Sequence, residues 1–206
     1  MDVAHPYAAV VPSLDGEVLN VLAGTSRGLT GREIALLAGR SSHSGVLAVL
    51  NRLSDQGLVT RVELNRASLF ELNRDHLAAP AVEELAGLRT TLVNRIRGSI
   101  EAWAIAPVHS SLFGSFARGD GDEHSDIDLF IVRPSATADD DPRWREQVDE
   151  LASKIERWTG NRAAMHEVSN LELPRLSVDQ PPIISQLHAD AILLEGPDLS
   201  TLLDQR

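Results

Sequence analysis

The chain reads Leu112-Phe113-Gly114-Ser115-Phe116-Ala117-Arg118-Gly119-Asp120 at residues 112–120 and Ser125-Asp126-Ile127-Asp128-Leu129 at residues 125–129. The first stretch predicts a strand that ends at Gly114-Ser115, where a helix begins. Glycine lets a phosphate approach the backbone closely. The serine offers a hydroxyl, and the start of the helix offers free N–H groups. The pattern therefore predicts a phosphate-binding turn.

Two aspartates follow this turn at the start of the next predicted strand, which covers residues 127–132. Asp126 and Asp128 are two residues apart, so their carboxylates point to the same face of a strand. Converging carboxylates repel unless a cation lies between them, and oxygen ligands suit Mg²⁺ or Mn²⁺. A phosphate turn beside a paired-carboxylate metal site is the equipment for nucleotidyl transfer, in which metal ions activate the attacking oxygen and stabilise the leaving pyrophosphate.

The pattern G-S-x-x-R-G followed by S-D-x-D-L resembles the signature of the DNA polymerase beta-like nucleotidyltransferases, most closely the minimal nucleotidyltransferases. The resemblance covers roughly residues 107–196. It implies that Gly114 and Ser115 contact the triphosphate and that Asp126 and Asp128 ligate Mg²⁺. It also implies that Arg118 pairs with a nearby carboxylate or faces phosphate. The candidate nucleotide-binding residues are Gly114, Ser115, Arg118 and Ser125.

The family normally carries a third carboxylate on the following strand, where it helps to deprotonate the acceptor hydroxyl. Here the aligned position holds Ala164. Glu167 lies three residues further on, so a regular strand points it to the opposite face, while a bulge would make it the third catalytic carboxylate. His166 shares the face of Ala164 and is the alternative base. Alternatively, the segment from Gly160 to Val168 has a purely structural role.

Residues 14–75 show a second pattern, in the order helix, helix, turn, helix and two-stranded hairpin. Thr30-Gly31-Arg32-Glu33 has the form of a capping box at a helix start. The run from Val49 to Val59 resembles the recognition-helix end and first wing strand of bacterial winged-helix regulators. That resemblance implies a helix in the DNA major groove and a wing on the DNA backbone.

The DNA-binding candidates are Arg40, Ser44, Arg52, Arg61 and Arg66. Residues 40–66 carry a net charge of +2. This charge is modest for a DNA-binding surface, so dimerisation would help. The alternative is a winged helix used for protein contacts or packing.

The predicted fold class is α/β (α+β), with two domains. A flexible arm is expected over 1–13, the winged helix-turn-helix domain over 14–75, a linking helix over 76–105 and a nucleotidyltransferase domain with a mixed sheet over 106–206. Apolar residues recur every three or four positions over 82–103, which predicts one long amphipathic helix. It would link the domains, pack on its own domain or support a homodimer.

Composition narrows the function classes. The 206 residues include no Cys, which excludes disulfides, thiolate zinc sites and Cys nucleophiles. The single Lys, Lys154, argues against a P-loop lysine. The formal net charge is −11, of which residues 81–206 carry −10. No apolar run approaches the roughly 20 residues that cross a bilayer, and the start lacks the basic residues of a secretory signal, so a cytoplasmic protein is expected.

These features support two main hypotheses. In the first, an Mg²⁺-dependent enzyme transfers a nucleoside monophosphate from a nucleoside triphosphate, expected to be ATP, to a hydroxyl on a protein, an RNA end or a small molecule. Similar minimal nucleotidyltransferases often serve as antitoxins. In the second, the winged helix is a transcriptional regulator and a degenerate second domain senses the nucleotide. A drug-modifying aminoglycoside nucleotidyltransferase is a third idea, which no specific residue marks.

Overall fold

The computed structural model describes residues 1–39, 42–64, 67–179 and 182–204. The chain forms two compact units. The N-terminal unit is Pro6–Arg89, and the C-terminal unit combines Met1–His5 with Thr90–Arg206. Within these described ranges, no helix combines the length and the apolar character needed to cross a membrane.

The N-terminal unit has the element order of a winged helix. After a short 3-10 helix, Pro6–Ala9, its elements are α1 (Leu14–Ala23), β1 (Leu29–Thr30), α2 (Gly31–Leu37), α3 (His43–Asp55), β2 (Val59–Leu64), β3 (Ala67–Leu72) and α4 (Ala79–Ala86). The three strands pair antiparallel in the order β1-β3-β2. The capping box is present, because the Thr30 hydroxyl accepts from the Glu33 N–H and Glu33 accepts from the Thr30 N–H at 2.7 Å.

The C-terminal unit is built around a four-stranded sheet. Its elements are α5 (Leu88–Glu101), which begins in the N-terminal unit, then β4 (His109–Phe113), α6 (Gly114–Arg118), β5 (Ile127–Arg133), α7 (Pro142–Thr159), β6 (Ala163–Ser169), α8 (Leu173–Asp179), α9 (Pro182–Asp190), β7 (Ile192–Glu195) and α10 (Leu199–Asp204). The strand order is β6-β5-β4-β7. Only the β5–β6 pair is parallel, so the sheet is mixed, as predicted.

Helices cover both faces of this sheet. On one face, Ile127, Leu129 and Ile131 pack with apolar residues of α5 and α7. On the other face, Phe130 and Val132 pack with residues of α8, α9 and α10. Alternate residues of β5 therefore face separate cores, and this alternation decides which side chains reach the candidate site.

The prediction of a single helix over 82–103 is wrong, because the structure has two helices there. α4 ends at Ala86 and α5 begins at Leu88. Gly87 caps α4 by donating its N–H to the Glu83 carbonyl at 2.9 Å, and glycine is a common terminator of helices. Because α4 and most of α5 belong to different units, the boundary between the units falls after Arg89 rather than near residue 105.

The expected flexible arm over 1–13 is also corrected. Val3 is fully buried in the core of the C-terminal unit, and the Ala4 N–H donates to the Gly121 carbonyl at 3.1 Å. Pro6 and Tyr7 are buried in the N-terminal unit. The arm is held because its apolar side chains find hydrophobic cores, which the prolines in its sequence do not reveal.

Candidate active site

Asp126 and Asp128 stand where β5 begins. Asp128 pairs in register with Phe113, the last residue of β4, on one side and with Ala164 of β6 on the other. The intervening residue, Ile127, faces the opposite core. Asp128 therefore lies in the middle of the sheet at the end of β4, where the chain turns into α6.

The carboxyl group of Asp128 is partly buried, and the charge of Asp126 acts on it. Burial raises the pKa of Asp128 above its ordinary value, and the negative charge of Asp126 acts in the same direction. A hydrogen bond with His166 opposes this rise, with Nε2 lying 3.4 Å from Oδ1 of Asp128. The pair is therefore a partly desolvated, mutually repelling carboxylate site, which is the setting that a cation relieves.

Gly114 makes this arrangement possible. Its φ is +73°, in the left-handed region, and a Cβ added there would lie 2.5 Å from Oδ2 of Asp128. A side chain there would displace the carboxylate and would also be strained by the left-handed backbone, so glycine lets the turn abut Asp128. The sequence analysis expected a phosphate to approach the backbone of Gly114 closely. In this structure, the carboxylate of Asp128 makes that close approach.

The remaining candidates for nucleotide binding surround the same turn. Ser115 follows Gly114, and its hydroxyl lies against Gly121. Arg118 donates to Asp120 at 3.0 Å and to Asp190 of α9 at 2.8 Å. Arg118 thus pairs with nearby carboxylates, one of the two roles expected of it.

Ser125 lies in the loop just before the aspartates and orders that loop. Its hydroxyl donates to Oδ1 of Asp122 and accepts from the Asp122 N–H, both at 2.9 Å. These bonds shape the loop that carries Asp126, and nucleotide binding by Ser125 stays a prediction.

Glu167 lies on the opposite face of the sheet from Asp128. The β5–β6 register runs without a break from Ile127–Ala163 to Arg133–Ser169, so the bulge that would have turned Glu167 around is not there. Its carboxylate accepts from the Trp144 indole N–H at 2.7 Å and pairs with Arg145, both on α7. The structure does not bring Glu167 to the catalytic set and corrects that expectation, whereas His166 lies beside Asp128.

Replacing Glu167 by Gln tests this correction. We expect nucleotidyl transfer to stay within about two-fold of wild type and the free energy of unfolding to fall by about 1 kcal/mol, because two donors on α7 lose a charged acceptor. Initial rates and thermal denaturation of the same samples measure both effects. A large loss of rate at unchanged stability would return Glu167 to the catalytic residues.

The structure adds one residue that the sequence did not single out, Asn161. It lies between α7 and β6, is 3% exposed, and donates to the Ser125 carbonyl at 3.0 Å. Its sequence signal is weak, because it merely follows Gly160, the residue that ends α7.

The carboxylates of Asp126 and Asp128 are the candidate ligands for a metal ion here. Within the described residues, no group of three or more His, Asp or Glu side chains is arranged to hold a metal ion. Mg²⁺ is commonly bound through one or two carboxylates, with substrate phosphates and water as the other ligands. The oxygen donors of Asp126 and Asp128 fit such a site, with the rest of the coordination left to the nucleotide.

The DNA-binding candidates occupy different parts of the N-terminal unit. Arg40 and Arg66 lie outside the described residues. Ser44 is exposed in the first turn of α3, with its hydroxyl 3.3 Å from that of Ser42. Arg52 is paired with Asp15 of α1.

Arg61 joins the β2–β3 hairpin to α3. It donates to Asn51 of α3 at 3.3 Å and to Ser68 of β3 at 3.2 Å, pairs with Glu63 and lies over the Phe70 ring. Arg52 and Arg61 are both exposed, and their side chains form ion pairs with different residues.

A groove of about 540 Å³ lies between α2, α3 and the β2–β3 hairpin. Its lining residues are Thr30, Gly31, Arg32, His43, Leu47, Asn51, Arg61, Ala67, Ser68 and Phe70. None of these is acidic, whereas two are arginines. Arg32 of α2, which was not among the candidates from the sequence, therefore lies beside α3 and the β2–β3 hairpin.

Comparisons with known proteins bear on the C-terminal unit. Residues 94–180 match the family model described as "Nucleotidyltransferase domain". This segment extends from within α5 to the residue after α8 and contains the glycine turn and both aspartates. Over these residues the chain is therefore similar to nucleotidyltransferase domains, which supports a nucleotidyl-transfer function. A search of curated proteins found no match.

Three solved structures share 20% identity with the chain. One, described as a toxin-antitoxin with AMP-PNP, has a TM-score of 0.36 over 54% of this chain and 80% of the other. The others are a MarR family transcriptional regulator from Rhodococcus sp. RHA1 and CouR from Rhodococcus jostii RHA1 bound to p-coumaroyl-CoA. Each has a TM-score of 0.30 over 48% of this chain and 80% of the other.

Proposed function

We propose that the C-terminal unit is an Mg²⁺-dependent nucleotidyltransferase, with Mn²⁺ as the alternative ion. It would transfer the nucleoside monophosphate of ATP or another nucleoside triphosphate to a hydroxyl and release pyrophosphate. The observation that carries the proposal is the placement of Asp126 and Asp128 beside the Gly114 turn. The family match covers residues 94–180, which contain these three residues, so it supports the same proposal.

The residues of the site divide the work. Asp126 and Asp128 would hold the ion, which supplies charge stabilisation at the phosphates and lowers the pKa of an attacking hydroxyl. The Gly114–Ser115 turn, directly beside them, would receive the triphosphate through its backbone and the Ser115 hydroxyl. Arg118, held by two carboxylates, would keep α6 against α9 and so keep this turn in place.

The sheet order suggests where the two substrates lie. β4 and α6, which carry the phosphate turn, are on one side of β5, and β6 is on the other. The acceptor hydroxyl would therefore approach over β6, on the face of Ala164 and His166. Ala164 is half-buried and His166 exposed, and the small Ala164 side chain leaves room opposite Asp128. The acceptor would be a protein hydroxyl, as for an antitoxin that modifies a partner, or an RNA end.

Transfer of label from each α-labelled nucleoside triphosphate tests this function. The protein would be incubated with Mg²⁺, Mn²⁺ or chelator, alone and with cell lysate. Metal-dependent transfer of label to an acceptor is expected, and protease or nuclease treatment identifies protein or RNA. Binding of the nucleotide without transfer would contradict the enzymatic proposal.

A second candidate function is nucleotide sensing. It is favoured by the finding that the described residues offer two carboxylates but no three-residue metal cluster. In that case nucleotide binding by the C-terminal unit would regulate the N-terminal unit, and the same labelled nucleotide would bind without turnover.

The winged-helix arrangement of the N-terminal unit supports DNA binding. Among the described residues, its groove is lined by Arg32 and Arg61 and by no acidic side chain. Ser44 and Asn51 stand on the exposed side of α3, where base edges would lie. Dimerisation would add a second half-site, and the oligomeric state in solution tests that part directly.

Replacing Arg61 by Ala is expected to weaken DNA binding about ten-fold and to flatten its salt dependence by about one counterion, because one phosphate contact is lost. Fluorescence anisotropy at several salt concentrations measures both quantities. Arg157→Ala is the matched control, since it removes the same charge from an exposed position on α7. Equal effects of the two substitutions would contradict a specific role for Arg61.

A further inference from the structure

Asn161 is a buried polar side chain at the corner between α7 and β6. Its amide oxygen accepts a hydrogen bond from the Met1 ammonium at 2.8 Å. Its amide nitrogen lies 3.0 Å from the Ser125 carbonyl and 3.4 Å from the carbonyls of Asp122 and Glu123. One side chain thus reaches three backbone acceptors of the loop that precedes the aspartates.

The orientation of this amide follows from its neighbours. An ammonium only donates and a carbonyl only accepts, so the amide oxygen must face Met1 and the NH₂ group must face the loop. The reversed amide would place two donors together at Met1 and set an oxygen against three carbonyl oxygens. The described contacts therefore satisfy Asn161 in one orientation.

The bonds from this corner bracket Asp126. Ser125, whose carbonyl accepts from Asn161, directly precedes it. Ile127, which directly follows it, donates its N–H to the Arg162 carbonyl at 2.9 Å. The two-residue segment of Asn161 and Arg162 thus holds the backbone on both sides of Asp126, although its side chains take no part in the aspartate pair.

We propose that Asn161 is a positioning residue of the active site. By fixing the loop over residues 122–125, it keeps the carboxylate of Asp126 next to that of Asp128, so Mg²⁺-dependent nucleotide binding requires it. This role rests on the proposed function of the two aspartates. Asn161 acts through the backbone of the loop, as outer residues do when they orient metal ligands.

Two substitutions at this position separate the role from simple packing. Asn161→Asp keeps the shape and the acceptor for Met1 but replaces the donors that face the loop. Asn161→Ala removes the side chain. The matched control is Ile155→Val, which trims a fully buried residue of α7 in the core of the same unit and does not alter a loop contact.

The experiment titrates Mg²⁺ against binding of a fluorescent ATP analogue and follows hydrogen exchange in peptides that cover the loop. For Asn161→Asp, the half-saturating Mg²⁺ concentration is expected to rise about 10- to 100-fold, the range for residues that orient metal ligands. Exchange in the loop is expected to accelerate in the same variant. Ile155→Val is expected to lower the melting temperature and change neither quantity.

The outcomes distinguish this role from the proposed function. If both Asn161 variants keep the Mg²⁺ requirement within two-fold of wild type, or if Ile155→Val shifts it equally, the positioning role is overturned. If wild type itself shows no Mg²⁺-dependent nucleotide binding, the proposed function fails, and this role fails with it. Normal wild-type binding with an unchanged Asn161 variant overturns the positioning role alone.

Discussion

Replacing Asp128 by Asn is expected to lower the rate of nucleotidyl transfer about 10³-fold or more. Asn keeps the shape of the side chain but removes one of the two negative charges that would hold the ion. The charge stabilisation that a metal supplies is worth several kcal/mol, and each 1.36 kcal/mol corresponds to a ten-fold change in rate. Steady-state transfer of labelled nucleotide at saturating Mg²⁺ measures the effect.

The same substitution is expected to leave the fold intact, and even to raise its melting temperature in the absence of metal. Burial raises the pKa of Asp128 above the ordinary value of 3.8, so the ionised carboxylate destabilises the folded state at neutral pH. This cost is present above the folded pKa and disappears as the pH falls below 3.8. The stability gain of Asp128→Asn should therefore be seen at pH 7 and vanish in acid.

Glu123→Gln is the control for the loss of charge. Glu123 lies in the loop over residues 122–125, just before the two aspartates, and its side chain is 62% exposed. Its carboxylate is not part of the aspartate pair, so transfer should stay within about two-fold of wild type. Equal losses for Asp128→Asn and Glu123→Gln would point to a general effect of loop charge and contradict the metal site.

Replacing Gly114 by Ala is expected to lower the affinity for Mg²⁺–nucleotide about 100-fold. A left-handed backbone costs a residue with a Cβ roughly 1–2 kcal/mol. The added Cβ also meets Oδ2 of Asp128 at 2.5 Å, so the carboxylate must move away from the turn. Equilibrium binding of labelled nucleotide, with melting temperature as a check on folding, measures the result.

Gly98→Ala is the matched control for this substitution. Gly98 lies within α5, has an ordinary helical backbone, and a Cβ there meets no atom within 4 Å. Alanine favours a helix over glycine by roughly 0.5–1 kcal/mol, so this variant should bind nucleotide normally and be slightly more stable. Unchanged nucleotide binding in Gly114→Ala would show that the turn does not shape the site.

Features that depend on nearby residues could be predicted from the sequence. The Thr30–Glu33 capping box spans four positions, and Gly160 ends α7 in the left-handed conformation that is common at the ends of helices. The strand–glycine–helix turn and the Asp126/Asp128 spacing are likewise local. In each case the pattern and the interaction involve the same few residues, so the pattern is sufficient.

Features that depend on distant packing could not be predicted in this way. The apolar spacing over 82–103 is the same for one helix as for two. The break at Gly87 separates α4, which packs in the core of the N-terminal unit, from α5, which packs in the core of the C-terminal unit. Val3 is buried because a pocket forms beside Gly121, more than a hundred residues away. Asn161 likewise has a role only because the loop before Asp126 folds against it.

A glycine turn followed by two aspartates spaced as on one strand face could be recognised from the pattern alone, because strand alternation and glycine conformation are local properties. Which residue of β6 lies beside Asp128 depends on how distant strands pair. Strand periodicity pointed Glu167 away from the site but left a bulge open, and the unbroken β5–β6 register closed that alternative. The β5–β6 register sets Ala164 opposite Asp128 and brings His166 beside Asp128. The sequence pattern does not reveal this register, because it depends on hydrogen bonds between residues that lie 36 positions apart in the chain.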